Sequence, residues 1–295
     1  MEKLNFTVII LTYNEEIHIR RLLENITPIV KYIYIVDSLS TDKTLEIAKE
    51  FKNVYCIQHA WPGNQAKQFN WALDNIDIKT KWIMRLDADE YLSQDLIERL
   101  GRDLPSLPEE VSAISLRLEH KFLGKRLKGG TGNVYITRIF RKGKAAYEER
   151  LMDERFVVFE GETVRWNESF IDENLNDLTW WTTKHNGYAI REAMALLDEE
   201  LGLSDLKLDS SSKSNKKKSM YLRLPLFWRA FAYFIYRYFV RGGFLEGKRG
   251  FIWCFLQGWW YRTLVDAKIY EIKKKCGNNP EKIKCYIKER YNIEI

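Results

Sequence analysis

Apolar positions in the first hundred residues come in short runs that each stop at a polar cluster. Residues 6–12, Phe-Thr-Val-Ile-Ile-Leu-Thr, form a β-branched run ending in Tyr13-Asn14-Glu15-Glu16, after which Ile17, Ile19, Leu22, Leu23 and Ile26 recur at helical spacing. This predicts strand, loop and helix. The unit repeats: Tyr32-Ile33-Tyr34-Ile35-Val36 ends at Asp37, and Ser40-Thr41-Asp42 precede a helix carrying Leu45, Ile47 and Ala48. A third strand is predicted at about 53–57, leading through Trp61-Pro62-Gly63 to a helix near 64–75. A fourth, Trp82-Ile83-Met84-Arg85-Leu86, ends at Asp87-Ala88-Asp89-Glu90. Such alternation predicts an α/β fold, a Rossmann-like, mostly parallel sheet with helices on both faces. From about 111 the pattern changes to short segments at 111–119, 134–140 and 156–159 with Gly129-Gly130 and Gly132 between them. They predict a mixed extension of the sheet, and a helix is expected near 186–201.

In sheets of this kind ligands bind beyond the carboxyl ends of the strands. Here those ends carry Thr12-Tyr13-Asn14, Asp37 and the cluster 87–90. Two carboxylates as close as Asp87 and Asp89 repel unless something positive lies between them. A hard divalent cation held by one or two carboxylates plus substrate phosphates and water meets that need, which points to Mg²⁺ or Mn²⁺. D-x-D alone is equally what an aspartate capping the helix of Leu92, Leu96 and Ile97 looks like.

Composition adds a division along the chain. Residues 211–295 hold 19 Lys and Arg against 6 Asp and Glu, a net +13. The 28 basic and 35 acidic residues of 1–210 leave that part at −7, so the overall +6 hides a basic C-terminal segment. No helix-turn-helix, zinc-finger or RNP-like pattern accompanies it, so no nucleic-acid partner is expected. Cys56, Cys254, Cys276 and Cys285 have neither CxxC spacing nor a neighbouring His cluster, and read as reduced thiols. Residues 1–20 lack the unbroken apolar stretch of a secretion signal, and a cytoplasmic protein is expected.

Taken together, Thr12-Tyr13-Asn14-Glu15-Glu16, Val36-Asp37-Ser38-Leu39-Ser40-Thr41-Asp42-Lys43-Thr44 and Asp87-Ala88-Asp89-Glu90 resemble the motifs of family 2 glycosyltransferases of GT-A fold, and among them the lipopolysaccharide-core and capsular-polysaccharide transferases. The resemblance spans roughly residues 5–200. It implies that Thr12, Tyr13 and Glu15 line the nucleoside pocket and that Asp37 holds the base or ribose. It also implies that Asp89 is the principal metal ligand and that Asp87 contacts the ribose or supports the metal. Many relatives have a second acid where this chain has Ser38, which leaves the nucleobase open. Lys67 and Asn70 fall in the helix that usually borders the nucleotide; Lys67 is a candidate phosphate contact or a plain solvated lysine.

Inverting transfer needs a base near the acceptor hydroxyl. By the same resemblance Asp153 and Glu154 are the candidates, in the place where relatives carry an acidic or His-Glu pair. His185 is a candidate metal ligand, as a downstream His is in some GT-A enzymes, and also a candidate structural residue. Lys184 is a candidate diphosphate contact. His120 and Arg138 line the expected acceptor half without an assigned role.

In the C-terminal segment Phe227, Trp228, Phe231, Phe234, Ile235, Tyr238 and Phe239 are interspersed with Arg229, Arg237 and Arg241, and the longest uncharged stretch is 250–261. A membrane span needs about 20 residues, so the segment is expected to lie on an anionic membrane surface rather than cross it. The expected organisation is a nucleotide-sugar-binding half at 1–110, an acceptor-binding half at 111–203, a linker at 204–220 and a membrane-association region at 221–295. The expected function is transfer of a sugar, with inversion, from a nucleotide-sugar donor to a glycan or glycolipid acceptor at the inner face of the cell membrane. The alternatives are a nucleotidyltransferase, although no glycine-rich loop follows the first strand, and a catalytically silent scaffold of a polysaccharide assembly complex.

Overall fold

The structure, a computed structural model, describes residues 3–148, 156–203 and 224–293. It divides into two compact units, one of residues 1–126 and 133–176, the other of 127–132 and 177–295.

The first unit holds a single large sheet. Its strands are β1 (Leu4–Thr12), β2 (Val30–Asp37), β3 (Val54–Gln58), β4 (Trp82–Asp87), β5 (Glu90–Leu92), β6 (Val111–Phe122), β7 (Lys125–Arg126), β8 (Val134–Arg141) and β11 (Glu162–Asp172); β9 (Ala145–Tyr147) and β10 (Phe156–Val158) pair with each other. The order is β3-β2-β1-β4-β8-β6-β11-β5, with β7 on β6. The β3-β2-β1-β4 half is parallel, and the other half mixes antiparallel pairs with the parallel pair β6–β11.

Alternation along β1 explains the two-faced packing. Phe6, Val8 and Ile10 point to a core built with Ile19, Leu22, Leu23 and Ile26 of helix α1 (Glu16–Ile26), Ala48 of α2 (Thr44–Ala48), and Leu96 and Leu100 of α4 (Gln94–Asp103). Ile9 points the other way, to Ala66, Phe69 and Ala72 of α3 (Gln65–Asn75). Every one of these side chains is fully buried, at a typical gain of about 1.5–3 kcal/mol for each large apolar side chain.

One expectation fails in this unit. The short segments expected after residue 110 end at 159, yet Glu162–Asp172 is a long strand between β6 and β5. Its pairing with β6 shifts register between Arg165 and Ser169, a bulge-like break that destroys the two-residue alternation a strand shows in sequence.

In the second unit, helix α5 (Leu178–Leu201) starts eight residues before the expected position, capped by Asp177 whose side chain accepts from the Trp180 amide. Its Ala189, Ala193, Met194 and Leu197 pack on Val265, Ile269 and Ile272 of helix Tyr261–Cys276 and on Ile283 and Ile287 of helix Pro280–Tyr291. Residues 127–132 join this unit through close backbone contact: a Cβ on Gly129 would meet Gly242 O at 2.2 Å, and Gly130, at φ +70°, has its carbonyl capped by Arg237 Nε at 2.7 Å. Among the described residues no helix is long and apolar enough to cross a membrane.

Candidate active site

The parallel strand order reverses at β1, whose neighbours are β2 on one side and β4 on the other. A crevice opens at the carboxyl ends of such strands, and register puts Thr12 beside Asp37 and Leu11 beside Asp87. The first two motifs and the acidic cluster therefore share one rim.

The loops after β1 and β2 are interlocked. Asp37 is fully buried, accepting from Thr12 Oγ1 at 2.9 Å and from the amide and hydroxyl of Ser40 at 2.8 and 2.5 Å. Asn14 and Leu39 both take positive φ, a conformation asparagine tolerates better than leucine. The Asn14 amide donates to Ser40 Oγ while Asn14 Oδ1 accepts from the Thr41 amide, and the Glu15 amide donates to Thr44 Oγ1. Asp42 accepts from the Glu16 amide and from Thr44. Burial pushes the Asp42 carboxyl up, but these hydrogen bonds outweigh it and hold it below the usual carboxylate range. Tyr13 is left 61% exposed at the rim. Glu15 accepts from His18, whose fully buried ring receives the Leu175 amide on Nε2 at 2.9 Å. That acceptor role fixes the proton on Nδ1, 2.7 Å from Glu15 Oε2.

Ser38 is buried and its Oγ accepts from Gln68 Nε2, while Gln68 Oε1 pairs with His59 Nδ1 at 2.6 Å and the His59 ring stacks on Trp71. Position 38 therefore presents a buried hydroxyl held by Gln68. Lys67 lies exposed in the first turn of α3, and Asn70 is occupied with the backbone of Tyr147.

The acidic cluster is surrounded by arginine. Arg85 Nη2 lies 3.3 Å from Asp87 Oδ1 and 2.8 Å from Gln65 Oε1, with its guanidinium over the Tyr147 ring. Arg138 Nη2 lies 3.4 Å from Asp87 Oδ2 and pairs with Glu90. Glu90 also accepts from the Asp87 amide at 2.9 Å. Burial pushes the Glu90 carboxyl well up, against the pull of Arg138, and the carboxylates of Glu90 and Asp87 keep Arg138 protonated despite its burial. The capping alternative for Asp87 and Asp89 falls away: α4 is capped by Ser93, whose Oγ accepts from the Leu96 amide. Asp89 is half-buried and accepts from Asn174 Nδ2 at 3.0 Å.

Of the remaining candidates, Asp153 and Glu154 lie outside the described residues. His185 is in the second unit, stacked on Trp181, with Nδ1 on the Trp181 carbonyl oxygen and Nε2 on Gln257. Burial lowers its pKa, which keeps the ring neutral. Lys184 packs over Trp180, and His120 faces Asp172 at 3.5 Å. No sequence motif gives the roles of Glu90, Asn174 or His18, whose partners Arg138, Asp89 and Leu175 lie 48, 85 and 157 residues away, whereas Arg85 stands out as a cation inside an apolar strand.

Residues 7–146 match the model of Glycosyl transferase family 2. Glycosyltransferases of Rickettsia felis and Rickettsia conorii are 27% and 26% identical over 260 and 251 residues, covering 83% and 80% of this chain and 84% and 82% of theirs. Among solved structures, S. aureus TarS 1–349 is similar over 98% of this chain and 92% of its own, at 15% identity and a TM-score of 0.44. Glucosyl-3-phosphoglycerate synthase of Mycobacterium tuberculosis, solved with Mn²⁺, uridine diphosphate and glucosyl-3-phosphoglycerate, is similar over 39% of this chain and 44% of its own, at 17% identity and a TM-score of 0.33. The fold is mixed α/β, a mostly parallel sheet with a mixed extension and interlocked loops at the strand-order reversal, followed by a C-terminal helical region. The protein is a glycosyltransferase, with the family 2 match lying in residues 7–146, which sets the nucleotidyltransferase alternative aside.

Proposed function

We propose that the enzyme transfers a sugar, with inversion, from a nucleoside-diphosphate sugar to a hydroxyl of a glycan or glycolipid. The observation that carries this reading is the shared rim: Thr12, Asp37, Asp87 and Asp89 stand at the carboxyl ends of adjacent strands around the reversal of strand order. Thr12, Tyr13 and Glu15 line the nucleoside side, Asp37 serves the base or ribose, and Lys67 faces a phosphate. Asp153 or Glu154 takes the acceptor proton as that oxygen bonds to the anomeric carbon, and the nucleoside diphosphate leaves with the electron pair of the broken C–O bond.

The donor set fits a hard divalent ion, Mg²⁺ or Mn²⁺. Among the described residues no group of three or more His, Cys, Asp or Glu is placed to hold a metal, so the protein supplies one or two carboxylates and diphosphate and water supply the rest. Asp89 is the leading ligand, and Asp87, which has Arg85 and Arg138 beside it, contacts the ribose or supports the metal. When bound, the ion neutralises charge developing on the departing diphosphate. A panel of nucleotide sugars is expected to raise the melting temperature in Mn²⁺, the matching donor contributing about 2.7 kcal/mol at a hundredfold excess over its Kd. Equal melting in Mn²⁺ and in EDTA for every sugar nucleotide would remove the metal-dependent donor site.

The C-terminal region supports attachment to an anionic membrane. Trp228, Val240 and Leu245 are 71, 72 and 74% exposed, Phe239, Phe244 and Phe251 are also exposed, and exposed Arg241, Lys248 and Arg249 stand among them in sequence. Apolar side chains beside cations suit the interface of a bilayer rich in phosphatidylglycerol. The paired change Val240→Asp with Leu245→Asp in the full chain is expected to weaken flotation on such vesicles roughly tenfold or more while melting stays unchanged. Undiminished flotation rules this face out.

A further inference from the structure

The acidic cluster is tied to a segment that no motif marks. β11 ends at Asp172, and the residues that follow it close over the loop of Asp89. The Glu173 amide donates to the Asp89 carbonyl oxygen at 3.1 Å. Arg21 Nη2, from α1, donates to the same oxygen at 3.1 Å and to the Glu173 carbonyl oxygen at 2.7 Å. The Glu173 carboxylate, almost fully buried, accepts from Arg21, Lys121 and Tyr91. One step on, Asn174 Nδ2 donates to Asp89 Oδ2 at 3.0 Å, and the next residue sends its amide to His18, which in turn holds Glu15.

The orientation of the Asn174 amide is set by its other end. Its oxygen accepts from the Asn176 amide at 3.0 Å, an Asx turn, which leaves the NH₂ group toward Asp89. The backbone of Asp89 is thus held by Arg21 and Glu173, and its carboxylate by Asn174.

We propose that Asn174 is a positioning residue for the metal-binding carboxylate of Asp89. The inference rests on the metal reading given above and adds a group that acts on the ion only through Asp89. A carboxylate free to rotate loses that freedom when it ligates, whereas one already held by a hydrogen bond does not. Removal of such an outer partner typically weakens metal affinity 10- to 100-fold.

The test is a titration of the full-length protein with Mn²⁺ alone, read by loss of the electron paramagnetic resonance signal of the free ion, with melting recorded on the same samples. Wild type is expected to bind, Asp89→Ala to lose binding, and Asn174→Ala to bind about 10- to 100-fold more weakly at an unchanged melting temperature. Asn174→Ser serves if the alanine variant misfolds, because serine keeps the turn contact to Asn176 but is too short to reach Asp89. Wild-type affinity in a folded Asn174 variant, with binding lost in Asp89→Ala, overturns the role of Asn174 and leaves the metal site standing. Binding retained in Asp89→Ala, or absent from wild type, overturns both.

Discussion

Asp89→Ala is expected to lower release of nucleoside diphosphate from the matching donor by roughly 10²–10³-fold. That is the loss of about 2.7–4 kcal/mol of stabilisation of charge on the leaving group. The folded state is expected to survive, since Asp89 is half-buried and sits at a loop. Asp87→Asn makes the instructive comparison. Asp87 lies between two guanidiniums, 3.3 Å from Arg85 and 3.4 Å from Arg138, so neutralising it leaves two buried cations facing the donor. Its defect is expected to fall on donor affinity, while the Asp89 defect is expected to persist at saturating donor and to deepen as Mn²⁺ is withdrawn. Full turnover in Asp89→Ala would end the assignment of this carboxylate to the leaving group.

Glu90→Ala is expected to cost about 3–5 kcal/mol of stability, the usual consequence of removing one partner of a buried ion pair. Both side chains are almost wholly buried, and Glu90 additionally accepts from the Asp87 amide. Arg138 would be left buried with the longer contact to Asp87 and the face of the Phe170 ring. For a unit of this size the melting temperature should fall by roughly 6–20 °C. The double change Glu90→Leu with Arg138→Met removes both charges and is expected to restore much of the loss. A Glu90→Ala protein that melts within about 2 °C of wild type would show that the pair does not hold the acidic loop.

Much of the first hundred residues was legible in the sequence. Runs such as 6–12 and 82–86 alternate with helical periodicity because both faces of a parallel strand must be covered, and β1 to β4 and α1 to α3 lie within a residue or two of where the sequence places them, while Leu92, expected in the next helix, ends strand β5. Motifs were legible because each occupies consecutive residues at a strand end. Thr12, Asp37, Asp87 and Asp89 come to one rim for a topological reason: parallel strands deliver all their carboxyl ends to the same edge.

What stayed hidden has a common cause. β11 loses its alternation at the shift between Arg165 and Ser169, so its strand character comes from pairing with β6 and β5 rather than from its own pattern. The C-terminal unit was expected to begin after 203, but α5 belongs to it from Leu178, because Ala193 and Leu197 find their apolar partners at Val265 and Ile269. Glu90 reads in sequence as a fourth acid of a cluster, and only the fold shows it to be the buried counter-ion of Arg138, 48 residues away.

The sequence by itself determined the α/β class, the positions of the first four strands and the carboxylates at their ends, because hydrophobic periodicity and strand-end motifs are local properties. Tertiary structure alone decided which groups hold those carboxylates: Arg85 and Arg138 for Asp87, Asn174 for Asp89, and His18 for Glu15. Charge balance and side-chain orientation in a buried site are properties of contacts, and those of Arg138 with Asp87 and Asn174 with Asp89 join residues 51 and 85 positions apart.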